Sequence, residues 1–442
     1  MSLPMEPSCW LACVRGCEGR HPIEDAAKAC PRCGGLMDVE HDIDQLRETS
    51  ADQWKQRFGK RAGIRCGRTS SGVWSKHEWV LPWLDASSIV SLGEGWSPLL
   101  DAPGLAEELA LDQLWIKQCG ISHTGSFKDL GMTVLVSAVR QMIDHGAPIE
   151  AMVCASTGDT SAALAAYGAR AGIPTVVLLP RGKITDAQLA QPSAHGAITL
   201  GLDTDFDGCM RVVRELTEDP RFYLANSKNP LRVEGQKTIG IEVVEQLGWD
   251  VPDWFVIPCG NLGNVSALGK GLLMLYELGL IDRLPRIAAV QAERANPLFR
   301  SYETGFRELV PVEAGDTHAT AIRIGDPVSY ERAVKVLRQL DGVVCQATEE
   351  ELASAAARAD RNGLYTCPQT AVALAGLESL ARDGVVGRSE TAVVVSTAHG
   401  LKFTRFKAAA ADAASQSEAF LADPDAISET VGRHLMMAHR TD

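Results

Sequence analysis

The chain contains no apolar run approaching the roughly 20 residues needed to cross a bilayer, so no helical membrane span is expected. It also lacks an excess of positive charge. Its 43 basic residues stand against 56 acidic ones, a net charge of −13 at pH 7. That balance opposes general binding to nucleic acid or anionic lipid, and an anionic ligand has to be drawn by local groups. Internal repeats and low-complexity segments are missing. The start, "MSLPMEPSCWLACVRGC", has no charged region followed by an apolar core, so no secretory signal is expected. Twelve cysteines in a chain of 442 residues with α/β patterning point to reduced thiols in a cytoplasmic protein rather than a disulfide framework.

What is present begins with length. A chain of 442 residues with 45% apolar content predicts a soluble protein of two or three domains. Five of the cysteines, Cys9, Cys13, Cys17, Cys30 and Cys33, fall within the first 33 residues. "CPRC" forms a tight knuckle, and Cys30 and Cys33 can pair with Cys13 and Cys17 about a structural tetrahedral zinc. The alternative is a cysteine-rich ribbon without metal. A catalytic zinc is disfavoured, because no nearby histidine is spaced to leave three ligands and an open position.

From about residue 42 to 110 the pattern is mixed and reads as loops and short helices packing onto a neighbour. Strand and helix signals then alternate. Strand "AMVCAS" leads through "TGD" into helix "TSAALAAYGARAG", which ends at Gly172 before strand "TVVLLP". Strand "AITLGLD", helix "GCMRVVRELTED", strand "FYLANS", helix "GQKTIGIEVVEQLG" and strand "WFVIP" follow. After these come helix "VSALGKGLLMLYELG" and strand "IAAVQAE". A capping box from Thr348 to Glu351 opens one late helix and Pro368 sits in the first turn of another. Strand "TAVVVSTAHG" closes the series, and the Ala-rich tail after about residue 407 reads as a peripheral helix. Such alternation predicts parallel sheets covered by helices on both faces.

Parallel sheets bind ligands beyond the carboxyl ends of their strands, and there the loops carry chemistry. "ISHTGSFKDLGM" places Lys128 at the head of an apolar helix with Leu130, Val134, Ala138 and Met142 on one stripe. A helix head is slightly positive, and burial penalises a charged amine, so the position favours a neutral nucleophile or a Schiff base. The competing reading is a lysine reaching a neighbouring carboxylate. "IPCGNLGN" is a strand-to-helix turn whose N–H groups, Gly260 to Asn264, can converge on an anion, though it is neither GxGxxG nor a Walker loop. "CASTGDTSAA" is a second such turn, with Ser156, Thr157 and Thr160 hydroxyls able to hold a carboxylate or simply to cap. "VVVSTAHG" ends a buried strand in Ser396 and Thr397, where a hydroxyl can meet a ring nitrogen. A Schiff-base lysine, a phosphate cradle, a carboxylate turn and a strand-end hydroxyl together are the parts that hold pyridoxal phosphate and an amino acid.

With those motifs in view, the sequence resembles the threonine synthases, pyridoxal-phosphate enzymes of the tryptophan-synthase-β fold, and most closely their plant-type branch. The family pattern "PTGSFKD" appears as "HTGSFKDLGM", "STGNT" as "STGDT", "GGNLGN" as "CGNLGN", and "ANSxNxxRxEGQKT" as "ANSKNPLRVEGQKT". "DVEHD", "SGVWSKHEWVLP" and "STAHGLKF" also look plant-like, and the likeness runs from about residue 36 to 407.

The resemblance implies an α/β protein of PLP-dependent fold type II, with two parallel-sheet domains, the cofactor between them and a Cys-rich N-terminal extension. The expected division is 1–41 Cys-rich segment, 42–119 N-terminal region packing on the large domain, and 120–235 smaller domain carrying the lysine. Residues 236–407 then form the large cofactor domain and 408–442 a tail. By the same route Lys128 is the Schiff-base lysine, and Asp159, Gly260, Asn261, Leu262, Gly263, Asn264 and Thr397 bind the cofactor. Ser156 and Thr157 hold the substrate carboxylate, while Lys117, Asn226, Ser227 and Arg232 receive its phosphate; a guanidinium fork matches phosphate oxygens. Asp159 stands where many relatives have asparagine, and Cys259 where glycine is usual.

The implied activity is conversion of O-phospho-L-homoserine and water to L-threonine and phosphate, with Lys128 moving the Cα and Cβ protons. The implied partners are a second copy in a homodimer and S-adenosylmethionine as effector, with no nucleic acid and no membrane. The rival readings are a cysteate synthase using O-phosphoserine and sulfite, and a non-catalytic protein that keeps the fold.

Overall fold

The computed structural model describes residues 8–62, 64, 66–156, 158–181, 186–412 and 423–438. Residues 1–403 form one compact unit and 404–442 a second, whose described part holds the helices Thr404–Asp412 and Pro424–Ala438. No helix among the described residues is long and apolar enough to cross a membrane.

Two sheets organise the first unit. Strands β5 (Ala151–Ala155), β6 (Thr175–Pro180), β7 (Ile198–Leu202) and β8 (Phe222–Leu224) form a parallel sheet of order β7-β6-β5-β8. The larger sheet takes β3 (Leu99–Asp101), β4 (Gln113–Gln118), β9 (Trp254–Pro258), β10 (Arg286–Ala292), β11 (Val343–Ala347) and β12 (Thr391–Ser396) in the order β11-β10-β9-β12-β4-β3. All its pairings are parallel except that of β3 with β4 at the edge. The central strands β5, β6 and β9 are buried along their whole length, as strands covered on both faces must be. The cysteine-rich start is a small antiparallel ribbon of β1 (Cys9–Cys13) and β2 (Met37–His41).

The helix boundaries follow the local chemistry. The helix Asp159–Ala171 stops at Gly172, whose φ of 71° is the left-handed conformation that ends a helix at low cost in glycine. Thr348 and Glu351 form the reciprocal capping box expected of them, and Pro368 opens the helix Pro368–Arg382. One segment differs from the sequence reading. Helix structure begins at Leu231 rather than near Gly235, because the Asn229 carboxamide accepts the Leu231 N–H at 3.1 Å and starts the turn early. Arg232 therefore projects from a helix, Leu231–Gln236, and not from a loop.

The helix Lys128–Asp144, buried on nearly every side, packs against both Asp159–Ala171 and Leu231–Gln236. The sequence stripe of Leu130, Val134, Ala138 and Met142 is buried throughout.

Candidate active site

The turn before Lys128 is tied from within. Asp129, fully buried, accepts from Ser122 Oγ at 2.6 Å, from the Thr124 N–H at 2.8 Å and from Thr124 Oγ1 at 2.5 Å. Burial pushes its carboxyl up while those donors oppose the shift. The turn is also tied to the end of β12, since the Phe127 N–H donates to the Thr397 carbonyl at 2.9 Å and the His399 N–H to Gly125 at 3.0 Å. Lys128 thus starts its helix beside the end of β12, with Nζ 4.2 Å from the centre of the Phe127 ring. Burial, and then the positive charge of Arg232, pulls its pKa down from 10.5 to about 7, with Asp159 acting the other way. A helix head is a poor place for an ammonium and a good one for a free amine.

Beyond β9 the chain turns through Gly260 and Asn261 to Leu262, whose φ of +64° aims the following N–H groups out of the head of the helix Gly263–Glu277. Those groups are the unpaired donors of a helix start. Among the described residues, the N–H groups of Gly260, Asn261 and Leu262 meet no backbone acceptor. Gly260 is needed for space, because a Cβ there would stand 2.8 Å from Ile322 Cα. The loop is braced by Asn261, whose side chain accepts the Val328 N–H at 3.0 Å and whose carbonyl accepts the Ser329 N–H at 3.2 Å. The Asn264 carboxamide donates to the Pro258 carbonyl and accepts the Val265 N–H, which fixes the side chain at the start of the helix.

Ser329, which the sequence reading did not single out, lies fully buried with an unpartnered hydroxyl, 3.8 Å from where a Cβ on Gly263 would be. An orphaned buried hydroxyl beside an open glycine cradle fits an absent phosphate. Cys259 poses no difficulty for the cradle. Its thiol is fully buried, points back to the Ile257 carbonyl at 3.5 Å, and has its pKa pushed up by that burial, so it packs as a small apolar group.

Thr397, at the end of β12, is buried beside Cys367 Sγ at 3.7 Å, and Thr370 Oγ1 accepts its N–H at 3.2 Å. Thr370 Oγ1 also reaches Ser396 Oγ at 3.3 Å and Cys367 Sγ at 3.1 Å. These neutral groups leave the Thr397 hydroxyl a neutral partner for anything placed against it.

Arg232 is 3% exposed and has no carboxylate partner among the described residues. Its guanidinium reaches Ala225 O at 3.4 Å, Ser227 Oγ at 3.3 Å and Thr160 Oγ1 at 3.2 Å, and its Nε has no partner at all. Burial pulls its pKa down to about 10. A buried cation left without a counter-ion is a strong request for an anion. Thr160, read from sequence as a carboxylate contact, faces Arg232 instead.

Other expected residues are placed differently. The Asn226 carboxamide bonds the backbone of Ala155, accepting at 3.1 Å and donating at 2.8 Å, and so clips β8 to β5. Ser156 lies at the end of β5, its hydroxyl accepting the Gly158 N–H at 3.3 Å; Thr157 lies outside the described residues. Lys117 does not join the phosphate group. It is fully buried and donates to Glu242 Oε2 at 2.8 Å, the Ser97 carbonyl at 2.8 Å and Gln246 Oε1 at 2.9 Å, which occupies its three protons.

Asp159, the departure from the usual asparagine, is paired with Lys402 Nζ at 2.9 Å. Lys402 also donates to the Thr124 carbonyl at 2.9 Å and to Gln191 Oε1 at 3.0 Å. It lies in the "STAHGLKF" segment noted for its likeness but given no role there. Only the fold shows that it neutralises Asp159.

The four cysteines Cys13, Cys17, Cys30 and Cys33 converge in the ribbon, their sulfur atoms all within 4.8 Å of one another. All twelve cysteines are free thiols.

Residues 90–398 match the family model described as pyridoxal-phosphate dependent enzyme. The chain is 53% identical over 376 residues to threonine synthase 2, chloroplastic, of Arabidopsis thaliana, covering 85% of this chain and 73% of that one. It is 37% identical to threonine synthase of Methanocaldococcus jannaschii, covering 88% and 92%. Among solved structures, threonine synthase of Escherichia coli superposes with a TM-score of 0.67 at 20% identity, covering 94% of this chain and 93% of that one. The PLP-bound threonine synthase of Brucella melitensis gives 0.67 at 19% identity, covering 91% of each. At those identities the two structures speak to the fold alone.

Proposed function

This chain belongs to the pyridoxal-phosphate dependent enzymes, in the threonine synthase family, and from that premise we propose how its residues divide the conversion of O-phospho-L-homoserine and water to L-threonine and phosphate. Pyridoxal phosphate, bound at Lys128 and cradled by the N–H groups of Gly260 to Asn264 with Ser329, supplies an electron sink for charge at the substrate's Cα and Cβ. Asp159 and Thr397 would help to hold its ring, Asp159 through a carboxylate paired with Lys402 and Thr397 through a neutral hydroxyl. The Ser156 and Thr157 turn holds the substrate carboxylate.

Lys128 is the proton carrier. Its amine, freed of much of its charge near pH 7 by burial and by Arg232, accepts the Cα proton at Nζ and, once relieved of it, the Cβ proton; two protons return to carbon, at Cγ and at Cα, while the added water leaves its OH at Cβ and its proton on the released phosphate. Arg232 binds the substrate phosphate with Ser227 and Thr160 and stabilises it as it departs from Cγ. A guanidinium suits that task because its charge survives burial. Asn226 acts through position, by holding the strand ends from which Ser227 and Arg232 are presented. The observation that carries this reading is the buried Arg232 without a counter-ion. Its test is Arg232→Ala. Use of O-phospho-L-homoserine should fall by at least ~10-fold, as expected for losing a charge-assisted contact, with cofactor binding intact. Loss of the cofactor instead would place Arg232 at the wrong phosphate.

Four further readings accompany it. Cys13, Cys17, Cys30 and Cys33 hold a structural zinc: a tetrahedron of Zn–S bonds of about 2.3 Å has edges near 3.8 Å, compatible with the observed sulfur cluster. The protein works as a homodimer and in a reducing, cytoplasmic setting, the latter supported by its twelve free thiols. S-adenosylmethionine acts as effector, supported by the likeness of "DVEHD" and "SGVWSKHEWVLP" to plant sequences. Rates with and without that compound test the effector, and mass in solution tests the homodimer.

A further inference from the structure

The helix Leu231–Gln236 touches the helix Lys128–Asp144 backbone to backbone. A Cβ on Gly131 would stand 2.8 Å from the Arg232 carbonyl oxygen and 3.0 Å from Arg232 Cα, and one on Gly235 would overlap the Leu130 carbonyl. Two glycines therefore set the closest separation of the helices that carry Lys128 and Arg232.

The opposite face is held as firmly. At 3.6 residues per turn Glu234 lies about 200° around the helix from Arg232. Its carboxylate, fully buried, takes His41 Nε2 at 2.8 Å, Lys237 Nζ at 2.5 Å and Lys270 Nζ at 2.5 Å. Burial works against its ionisation, but the charges of Lys237 and Lys270 and the His41 contact outweigh it and hold the carboxyl well below the ordinary range. Lys270 belongs to the helix that begins at the phosphate cradle and also contacts Asp38 and the Val39 carbonyl; His41 belongs to β2. The arginine helix is thus pressed between glycines on one side and a buried ionic cluster, fixed to the cradle helix and the N-terminal ribbon, on the other.

We propose that Gly131, Gly235 and Glu234 determine specificity by position, fixing the Lys128-to-Arg232 spacing so that the site accepts a substrate of one chain length between amine and phosphate. The proposal rests on the reading that Arg232 holds the substrate phosphate. Removing one methylene shortens the reach by up to about 1.5 Å, roughly one C–C bond. Good N–H···O distances spread over only about 0.5 Å, so a fixed Arg232 cannot follow the shorter substrate.

The test uses holoenzymes of Gly131→Ala, which forces the two helices apart, and Glu234→Gln, which releases the far face. For each, kcat and KM with O-phospho-L-homoserine and with O-phospho-L-serine are measured, and cofactor affinity is read by absorbance titration. The expected result is a KM for O-phospho-L-homoserine raised about 10-fold or more, with kcat and cofactor affinity within about threefold and a narrowed preference between the two substrates. Arg232→Ala, run alongside, keeps the two readings apart. If it abolishes phosphate use while KM is unchanged in both variants, the spacing proposal is overturned and the Arg232 assignment stands. If Arg232→Ala itself leaves KM unchanged, the assignment fails. Parallel loss of kcat, KM and cofactor affinity in the two variants would make them merely structural and would also overturn the proposal. Should either fail to fold, His41→Leu replaces it, removing one contact to Glu234 and leaving both lysines, with the same expected split.

Discussion

The Phe127 N–H donates to the Thr397 carbonyl oxygen over 2.9 Å, which locks the residue before the lysine to the residue that follows β12. Two segments 270 residues apart in number, 127 and 397, thereby present an amine and a hydroxyl as one rigid unit. Preorganisation of that kind is what lets a site act without rearranging during the reaction.

The depressed pKa of Lys128 has a direct kinetic consequence. An amine of pKa about 7 is largely free at pH 8, whereas one at 10.5 is almost wholly protonated there. Rebinding of pyridoxal phosphate to apo-protein should therefore speed up with pH through a midpoint near 7 and level off above 8. Stopped-flow absorbance across pH 5.5 to 10 reads this; a rate that keeps climbing to pH 10 would contradict it. Lys128→Ala should lose both turnover and the covalent cofactor band.

Lys402 and Asp159 form a pair that a double-mutant cycle can isolate. Lys402→Met alone leaves the largely buried Asp159 carboxylate without its cation and, on the proposed assignment of Asp159 to the cofactor, should weaken cofactor binding about 10-fold or more, the scale of a lost charge-assisted contact. Asp159→Asn in the same chain removes that charge and should restore most of the loss. Equal affinities for the single and double variants would mean that the pair is incidental.

Serine at Cys30 and Cys33 should abolish bound zinc and lower the thermal midpoint by at least about 3 °C, since structural zinc sites stabilise the fold they close. Metal analysis and thermal denaturation of both proteins decide it. A native protein without zinc and a variant of unchanged midpoint would leave the ribbon metal-free.

Much of the fold was legible because its strands are buried on both faces and its helices carry plain end signals. "WFVIP" is strand β9 residue for residue, and Gly172, Thr348 and Pro368 mark helix ends where the chemistry requires them. Other elements escaped. Strand β4, "QLWIKQ", mixes buried Leu114 and Ile116 with a buried Lys117 that is paired with Glu242, a partner 125 residues away. Helix Ala51–Ala62, "ADQWKQRFGKRA", buries just Trp54 and Phe58 and otherwise reads as polar. In the site, Lys128 announced itself by standing at an apolar helix head. Ser329 and Lys402 did not, because each matters through a neighbour brought up by the fold. Lys117 was assigned to the phosphate through the resemblance alone, and its acceptors Glu242, Ser97 and Gln246 come into view only in the fold.

The most direct measurement is product analysis of the purified holoenzyme offered two substrates under matched conditions, O-phospho-L-homoserine in water and O-phospho-L-serine with sulfite. The Lys128 and Arg232 geometry predicts phosphate release with L-threonine from the first and little cysteate from the second, since the shorter substrate leaves Arg232 poorly paired and its phosphate on the wrong carbon. Cysteate formed faster than threonine would contradict the account.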